Sequence, residues 1–369
     1  MQAAVCYEFG EPLVVEEVIL DPPAAGEVMV KIAACAICHS DLHDLNGDWG
    51  GTLPVISGHE AAGRVVEVGA GVTRVQVGDH VVVSLLRQCG ECFQCTTGRP
   101  YNCEKTFPLD TESRLRTLRG EPIRHGIRCA AFADYAVVDQ SQTVVVPATL
   151  PLECAALLAC GVITGLGAVT NTVQVETGSH VVVIGTGGVG LNAIQGAVLS
   201  GAAMIVAVDL LDNKLDAARL FGATHTINAR HRDPVATVLT LTGGRGADYA
   251  FATVGNPRAI EQSLAMVRRG GTAVIVGMPS NDEVMLSINA HSLTFDRTLT
   301  GSTMGSTRLV VDIPRLVGLY HAGRLKLDEL ITGRYPLAGI NEAMAAMARG
   351  EALRNVIVFD ELMLDDPRG

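Results

Sequence analysis

Short apolar runs that alternate with polar positions, or carry β-branched residues, fill the first 150 positions: VMVKIAA (28–34), GRVVEVGAG (63–71) and DHVVVSLL (79–86). Glycine turns bound these runs, and VGAGVTRVQVGDHV reads as turn, strand, turn, so the spacing predicts a small β-rich barrel. Near residue 160 the period changes. From about 178 to 300, apolar strands alternate with helix-like segments: HVVVIG, GLNAIQGAVLSGA, MIVAVD, NKLDAARLFGA, then ADYAFATVG, AIEQSLAMVRRGG and TAVIVGM. That alternation predicts a parallel sheet covered by helices on both faces. Residues 304–369 mix two candidate helices, RLVGLYHAG and INEAMAAMARGE, with a closing strand, NVIVF. The final DELMLDDPRG reads as a loose acidic tail or a short docked helix. No internal repeat and no low-complexity segment interrupts the pattern.

Composition narrows the class. A chain of 369 residues exceeds one ordinary core, so two domains are expected. Hydrophobic residues at 48% and charged residues at 18% describe a globular protein. A net charge of −11 and only 4% aromatics speak against a nucleic-acid partner, which needs a basic face and stacking surfaces. Two stretches, 154–175 and 181–208, carry no charge. Gly, Thr, Asn and Gln break them, so they read as buried soluble elements rather than membrane spans. The start, MQAAVCYEFGEP, has neither a basic region nor an apolar one, so no secretory signal is read. Ten cysteines without such a signal point to reduced thiols, metal and a cytoplasmic setting.

The chemistry lies in three groups of residues. Cys89, Cys92, Cys95 and Cys103 follow the spacing C-x2-C-x2-C-x7-C, which lets four thiolates converge on one tetrahedral zinc. Such a closed set has no open position and reads as structural. The string HVVVIGTGGVG places Gly185, Gly187 and Gly190 as G-x-G-x-x-G, with Gly188 and Val189 between them, after a strand and at the start of a helix. That context marks a dinucleotide loop: one glycine turns the chain, one admits the pyrophosphate and one lets helix and strand pack closely. Asp209 ends the next strand, where a carboxylate can accept from ribose hydroxyls and repel a 2′-phosphate, favouring NAD(H). Lys214 either reaches the same ribose or is a solvated surface lysine. The third group is scattered: Cys38, His39, Ser40, Asp41 and His43, then His59 and Glu60, then Cys160. A catalytic zinc needs three protein ligands and one open position, and Cys38, His59 and Cys160 can supply such a set.

With these motifs the chain resembles the zinc-dependent alcohol dehydrogenases of the medium-chain dehydrogenase/reductase (MDR) superfamily from its first strand to about Phe359. The GHE string at 58–60, the four-cysteine lobe, GTGGVG with Asp209, and Cys160 ahead of that loop carry the resemblance. It implies an α/β architecture: a GroES-like β-rich catalytic domain over 1–161, completed by 304–369, and a Rossmann NAD-binding domain over 162–303, with the active site in the cleft. It implies catalytic zinc on Cys38, His59 and Cys160, with Glu60 behind the metal and Asp41 orienting His59. Ser40 would meet the substrate hydroxyl and His43 would pass its proton to solvent. His39, which stands where some members have arginine, Val276, Met278 and Arg354 would serve the coenzyme, the last at its pyrophosphate. Trp49 and Leu85 would line the substrate pocket, with Met278 and Thr303 deeper along the cofactor side. The long segment after Cys103 resembles that of the dimeric members, so a homodimer is expected, with a tetramer as the alternative. The implied reaction is reversible, zinc-dependent oxidation of a small-molecule alcohol with NAD+, primary or aromatic alcohols being favoured by the bulk of Trp49. Two alternatives stay open: a dehydrogenase of glutathione or mycothiol adducts of formaldehyde, using arginines in 114–128, and an enzyme whose NAD(H) stays bound and is reoxidised by an external acceptor. Cys6, Cys35, Cys129 and Cys154 are expected to be buried free thiols.

Overall fold

The structure, a computed structural model, describes residues 1–281 and 284–359; the DELMLDDPRG segment lies outside the described residues. The chain divides into two compact units, Met1–Cys160 with Arg308–Gly369, and Gly161–Thr307.

In the first unit the ten-residue strand Glu27–Ala36 is the axis. Its side chains are buried almost throughout, which is why its sequence is nearly continuous in small and β-branched residues rather than strictly alternating. Glu60–Val68 pairs antiparallel along one edge, with Glu60 opposite Ala36. The other edge is shared: Tyr135–Asp139 pairs with its first half, and the closing strand Arg354–Val358 pairs with its end. Strands His80–Ser84 and Thr143–Val145 extend the sheet on one side and Ile331–Tyr335 on the other. Glu60 and Val356, almost 300 positions apart, thus flank Ala36 from its two sides. A four-stranded sheet of Ile19–Leu20, Leu115–Arg116, Pro122–His125 and Val55–Ile56 uses much of the segment after Cys103. Phe132, Ile32, Ile37, Ile56 and Ile123 are among the largest side chains of this unit's core.

His125 ends one of those strands. Its Nε2 accepts from the Arg114 backbone N–H at 3.2 Å, while its buried Nδ1 meets no hydrogen-bond partner among the described residues. Burial, reinforced by the Arg87 charge, pushes its pKa down to about 4. An exposed histidine in the unfolded chain binds its proton near pH 6.5, so the unfolded state takes up the proton first. Stability is therefore expected to fall as pH drops from about 6.5 to about 4, by up to about 3 kcal/mol from this group. Urea midpoints measured across that range should decline less steeply for His125→Gln, whose amide oxygen can still accept from Arg114. Identical slopes for both proteins would remove His125 as the cause.

The second unit is a six-stranded parallel sheet. In space its strands run His225–Asn228, Met204–Asp209, His180–Ile184, Ala247–Ala252, Val267–Ile275, Thr298–Gly301. Numbered along the chain that order is 3-2-1-4-5-6, the doubly wound Rossmann arrangement expected from the strand–helix alternation. Its switch point falls between His180–Ile184 and Ala247–Ala252, just before the glycine loop. The charge-free stretch 181–208 is a strand, a helix (Gly188–Leu199) and a strand, and no described helix is long and apolar enough to cross a membrane.

Candidate active site

Where Glu27–Ala36 ends, the Ile37 N–H bonds to the Asn355 carbonyl of the closing strand, and the chain turns into the helix His39–Asn46. Cys38 stands at the cap of that helix in extended conformation. Asp41, in its first turn, is fully buried and organises the corner. Its Oδ2 accepts from the Cys38 N–H at 2.9 Å, and its Oδ1 accepts from the Gly58 N–H at 3.0 Å and from His59 Nδ1 at 2.9 Å. A carboxylate only accepts, so Nδ1 of His59 carries the proton and Nε2 is left as the donor atom toward a metal.

His59 and Glu60 open the strand opposite Ala36. Cys160 follows the helix Leu152–Leu157, which is tied to the sheet by Ser84 Oγ donating to the Ala159 carbonyl at 2.6 Å. The outcome is a buried cluster in which Cys38, His59, Glu60 and Cys160 offer ligand atoms all within 4.8 Å of one another. His59 Nε2 and Glu60 Oε1 are buried and meet no hydrogen-bond partner among the described residues. An unsatisfied imidazole nitrogen costs about 1–3 kcal/mol in a core, and a cation would satisfy it. Two thiols and an imidazole are the donor set zinc prefers, so the residues fit the metal.

The electrostatics agree. Hydrogen bonding with Cys160 holds the Cys38 thiol well below its ordinary range, and the same contact, with burial, drives Cys160 well above it. Burial disfavours a charged His59 ring, but Asp41 and Cys38 outweigh it and raise its pKa. Burial pushes Glu60 up to about 7 against the pull of Arg354, whose guanidinium contacts Glu60 Oε2 directly. Arg354, expected at the coenzyme pyrophosphate, is buried with its guanidinium against this carboxylate. A metal entering here must displace protons, so its binding weakens as pH falls.

A second cluster, Cys89, Cys92, Cys95 and Cys103, surrounds a half-buried point. The Cys89–Cys95 and Cys92–Cys103 sulfur separations are both 3.9 Å, close to the roughly 3.8 Å spacing of a tetrahedron of sulfurs about 2.3 Å from zinc. Backbone N–H groups of Glu91 and Cys92 point at the Cys89 sulfur and favour its thiolate, whereas Cys103, which accepts from the Cys89 N–H, is raised by burial. All ten cysteines are unbridged, and Cys6, Cys35, Cys129 and Cys154 are buried.

Comparison with known proteins decides the family. Residues 24–148 match the alcohol dehydrogenase GroES-like domain and 188–320 the zinc-binding dehydrogenase domain. The putative alcohol dehydrogenase D of Mycobacterium tuberculosis is 40% identical, over 96% of this chain and 99% of its own length. The chain belongs to the zinc-dependent alcohol dehydrogenases of the MDR superfamily. An S-(hydroxymethyl)glutathione dehydrogenase of Paracoccus denitrificans is 39% identical over 97% of this chain and 99% of its own. An NDMA-dependent alcohol dehydrogenase of Amycolatopsis methanolica is 39% identical over 97% and 98%. Among solved structures, a zinc-binding domain alcohol dehydrogenase of Burkholderia ambifaria superposes with a TM-score of 0.92 at 35% identity, covering 97% of this chain and 98% of that one. Benzyl alcohol dehydrogenase of Acinetobacter calcoaceticus follows at 0.90 and 32%, covering 97% and 99%.

In this alcohol dehydrogenase, His39, Ser40 and His43 lie on the helix His39–Asn46 that Cys38 begins. His39 is exposed, whereas Ser40 and His43 are half-buried. Trp49 packs against the His43 ring with centroids 5.2 Å apart, and Leu85 is half-buried beside the core. Asp48, absent from the sequence reading, lies 2.6 Å from His43 Nδ1 through its Oδ2. Its one sequence signal is its place after the helix-ending Gly47.

Within the second unit, Gly185 and Asp209 line a cavity of about 920 Å³ at the switch point. A Cβ on Gly190 would sit 1.8 Å from the Gly185 carbonyl, so close packing demands glycine there. A Cβ on Gly187 would enter open space, the room a pyrophosphate needs, at the N-terminus of the helix Gly188–Leu199. The loop therefore fits a dinucleotide. Asp209 is more heavily engaged than its position suggests. Its Oδ2 accepts from the Thr186 N–H and Oγ1, and its Oδ1 from the N–H groups of Leu210 and Leu211. A ribose hydroxyl must share those lone pairs. Lys214 is buried in the first turn of Asp212–Leu220, Val276 is buried after Val267–Ile275, Met278 is 61% exposed and Thr303 is exposed. None of these four lines the cavity.

Proposed function

We propose that the chain reversibly oxidises small primary or aromatic alcohols with NAD+, using catalytic zinc on Cys38, His59 and Cys160 and structural zinc on the four-cysteine lobe. The observation that carries this reading is the buried, unpartnered His59 Nε2 facing two thiols, with its other nitrogen held by Asp41. When bound, zinc supplies a Lewis acid that makes a hydroxyl easier to deprotonate, and the nicotinamide supplies the hydride acceptor. The protein's own residues do the rest. Asp41 fixes the His59 tautomer. Arg354 balances Glu60 behind the cluster. Ser40 takes the hydroxyl proton, and half-buried His43 hands it to water. Gly187 leaves space for the pyrophosphate, and Asp209 orders the loop through Thr186 and selects against a 2′-phosphate. The likeness to the benzyl alcohol dehydrogenase of Acinetobacter calcoaceticus supports aromatic alcohols. A homodimer is supported by Thr298–Gly301, an edge strand paired on one side only among the described residues, which a second copy can extend.

The thiol-adduct alternative needs free arginines in 114–128. Three of them are engaged: Arg114 grips Glu27 with two bonds of 2.8 Å, Arg116 pairs with Asp21, and Arg124 reaches Asp44 at 2.9 Å. That leaves Arg119 and Arg128, for which no ion pair is seen among the described residues, as the arginines this segment could offer a carboxylated thiol.

The test combines a substrate panel with a coenzyme titration. Aromatic and primary alcohols should reduce NAD+ but not NADP+ efficiently, and formaldehyde should not gain from added glutathione or mycothiol. NADH should bind with quenching of Trp49 or enhanced coenzyme fluorescence. Gly187→Ala should fold normally yet bind NADH at least about tenfold more weakly, because the new methyl occupies the pyrophosphate's space. A purified protein that already absorbs in the NADH band would favour the bound-coenzyme alternative. NADH affinity unchanged by Gly187→Ala would refute the loop assignment.

A further inference from the structure

We propose that Asp48 is a positioning residue that fixes which nitrogen of His43 carries the proton, leaving the other to receive the proton released by the alcohol. This rests on the reading of His43 as the proton exit.

The turn that delivers Asp48 is built into the helix end. The Gly47 N–H bonds to the Asp44 carbonyl at 3.3 Å and the Asp48 N–H to the His43 carbonyl at 3.0 Å, the paired bonds of a Schellman stop. Gly47 takes the left-handed conformation this stop requires, φ +77°, and a Cβ there would meet the Phe9 ring at 2.8 Å. The stop folds Asp48 back under His43, so its Oδ2 lies 2.6 Å from Nδ1. The indole of Trp49 covers the ring at a 34° tilt. Backbone, carboxylate and indole thus hold one imidazole. The two acids on the helix itself are turned elsewhere, Asp41 to His59 and Asp44 to Arg124 and Ser57, so Asp48 is the carboxylate this ring meets. Arg128 is the charged residue of the segment Gly126–Arg128, which packs against the helix.

A carboxylate accepts hydrogen bonds and does not donate them, so Nδ1 must be the N–H. The lone pair of the neutral ring is then on Nε2. In the opposite tautomer Nε2 already carries hydrogen and cannot accept. In the proposed step the alcohol O–H bond breaks and its proton passes through Ser40 to form the Nε2–H bond, while the carbon's hydride leaves to the oxidised nicotinamide. The imidazolium, paired with Asp48, then loses one proton to water and returns to the Nδ1–H form. Side-chain exposures of 27% for His43 and 33% for Asp48 give water access to the pair. An exposed pair of this kind adds about 0–1 kcal/mol to stability, so its geometry serves the ring rather than the fold.

The test starts with ¹⁵N-histidine spectra of the zinc-loaded protein, in which His43→Gln assigns the ring signal. The native ring should show the Nδ1–H tautomer, and Asp48→Ala should move it toward Nε2–H. The same variant should lower kcat about tenfold, a share of the 10²–10⁴ typical of proton-transfer groups, while KM and zinc content hold. Asp48→Glu should recover part of the loss. In a His43→Gln background Asp48→Ala should have no further effect. An Nε2–H native ring, a tautomer unmoved by Asp48→Ala, or a kcat loss that persists without His43 would overturn the proposal. A zinc-loaded His43→Gln enzyme with native kcat would overturn the proton-exit reading and this inference with it; failure of the spectra alone would leave that reading standing.

Discussion

Cys38→Ala should reduce zinc from two ions per chain to one, matching the loss of one of the two ligand clusters among the described residues, and should abolish alcohol oxidation. The side chain is small, so its deletion leaves little cavity, and its backbone N–H keeps its bond to Asp41. The chemical loss is far larger. Of the two thiols here, the one whose ionisation is favoured disappears, and His59 with Cys160 makes an incomplete set for a buried ion. A fall in kcat on the order of 10⁴-fold or more follows from losing the Lewis acid. The lobe at Cys89, Cys92, Cys95 and Cys103 shares no ligand with the site and should stay loaded. Metal analysis beside steady-state assays distinguishes these outcomes. Two zinc ions and normal turnover in the variant would break the ligand assignment.

Asp41→Ala should show the second-largest effect, on metal affinity and stability together. Three buried donors lose their acceptor at once: the N–H groups of Cys38 and Gly58, and His59 Nδ1. Each orphaned buried donor costs about 1–3 kcal/mol, so a total of at least about 3 kcal/mol is expected even where water enters the gap. The His59 ring also loses the bond that fixes its tautomer, and zinc affinity should drop about 10–100-fold. Asp41→Asn is the sharper comparison. It keeps the shape, but both oxygens of Asp41 accept, so one amide face must set a donor against a donor. Chelator competition measures the affinity, and urea unfolding of the zinc-loaded protein measures the stability. A variant that holds zinc as tightly as the native chain and unfolds at the same midpoint would show that Asp41 does not support the metal corner.

How far the sequence reaches depends on the distance over which a signal acts. The strand HVVVIG, its glycine turn and the helix after it are legible because periods of two and of 3.6 residues, and the steric needs of Gly185 and Gly190, are set by near neighbours. The alternation after residue 178 implies parallel strands for the same reason, and the doubly wound sheet carries that order. The four cysteines within fifteen positions are also local, since so short a segment leaves their sulfurs few places to go. By itself the sequence therefore determined the fold class, the family and the two kinds of metal-ligating pattern. Tertiary structure alone decided which distant groups meet. Glu60 and Arg354, almost 300 residues apart, face each other because two strands pair with opposite edges of Glu27–Ala36 at the same end. Arg114, Arg116 and Arg124 look available in sequence and are paired in space. Asp209 reads as a ribose acceptor and is met by four donors of its own chain, and Asp48 gains a role only when a left-handed glycine folds it onto His43. Register and packing set these contacts. Both depend on the whole sheet rather than on neighbouring residues, so no local spacing encodes them.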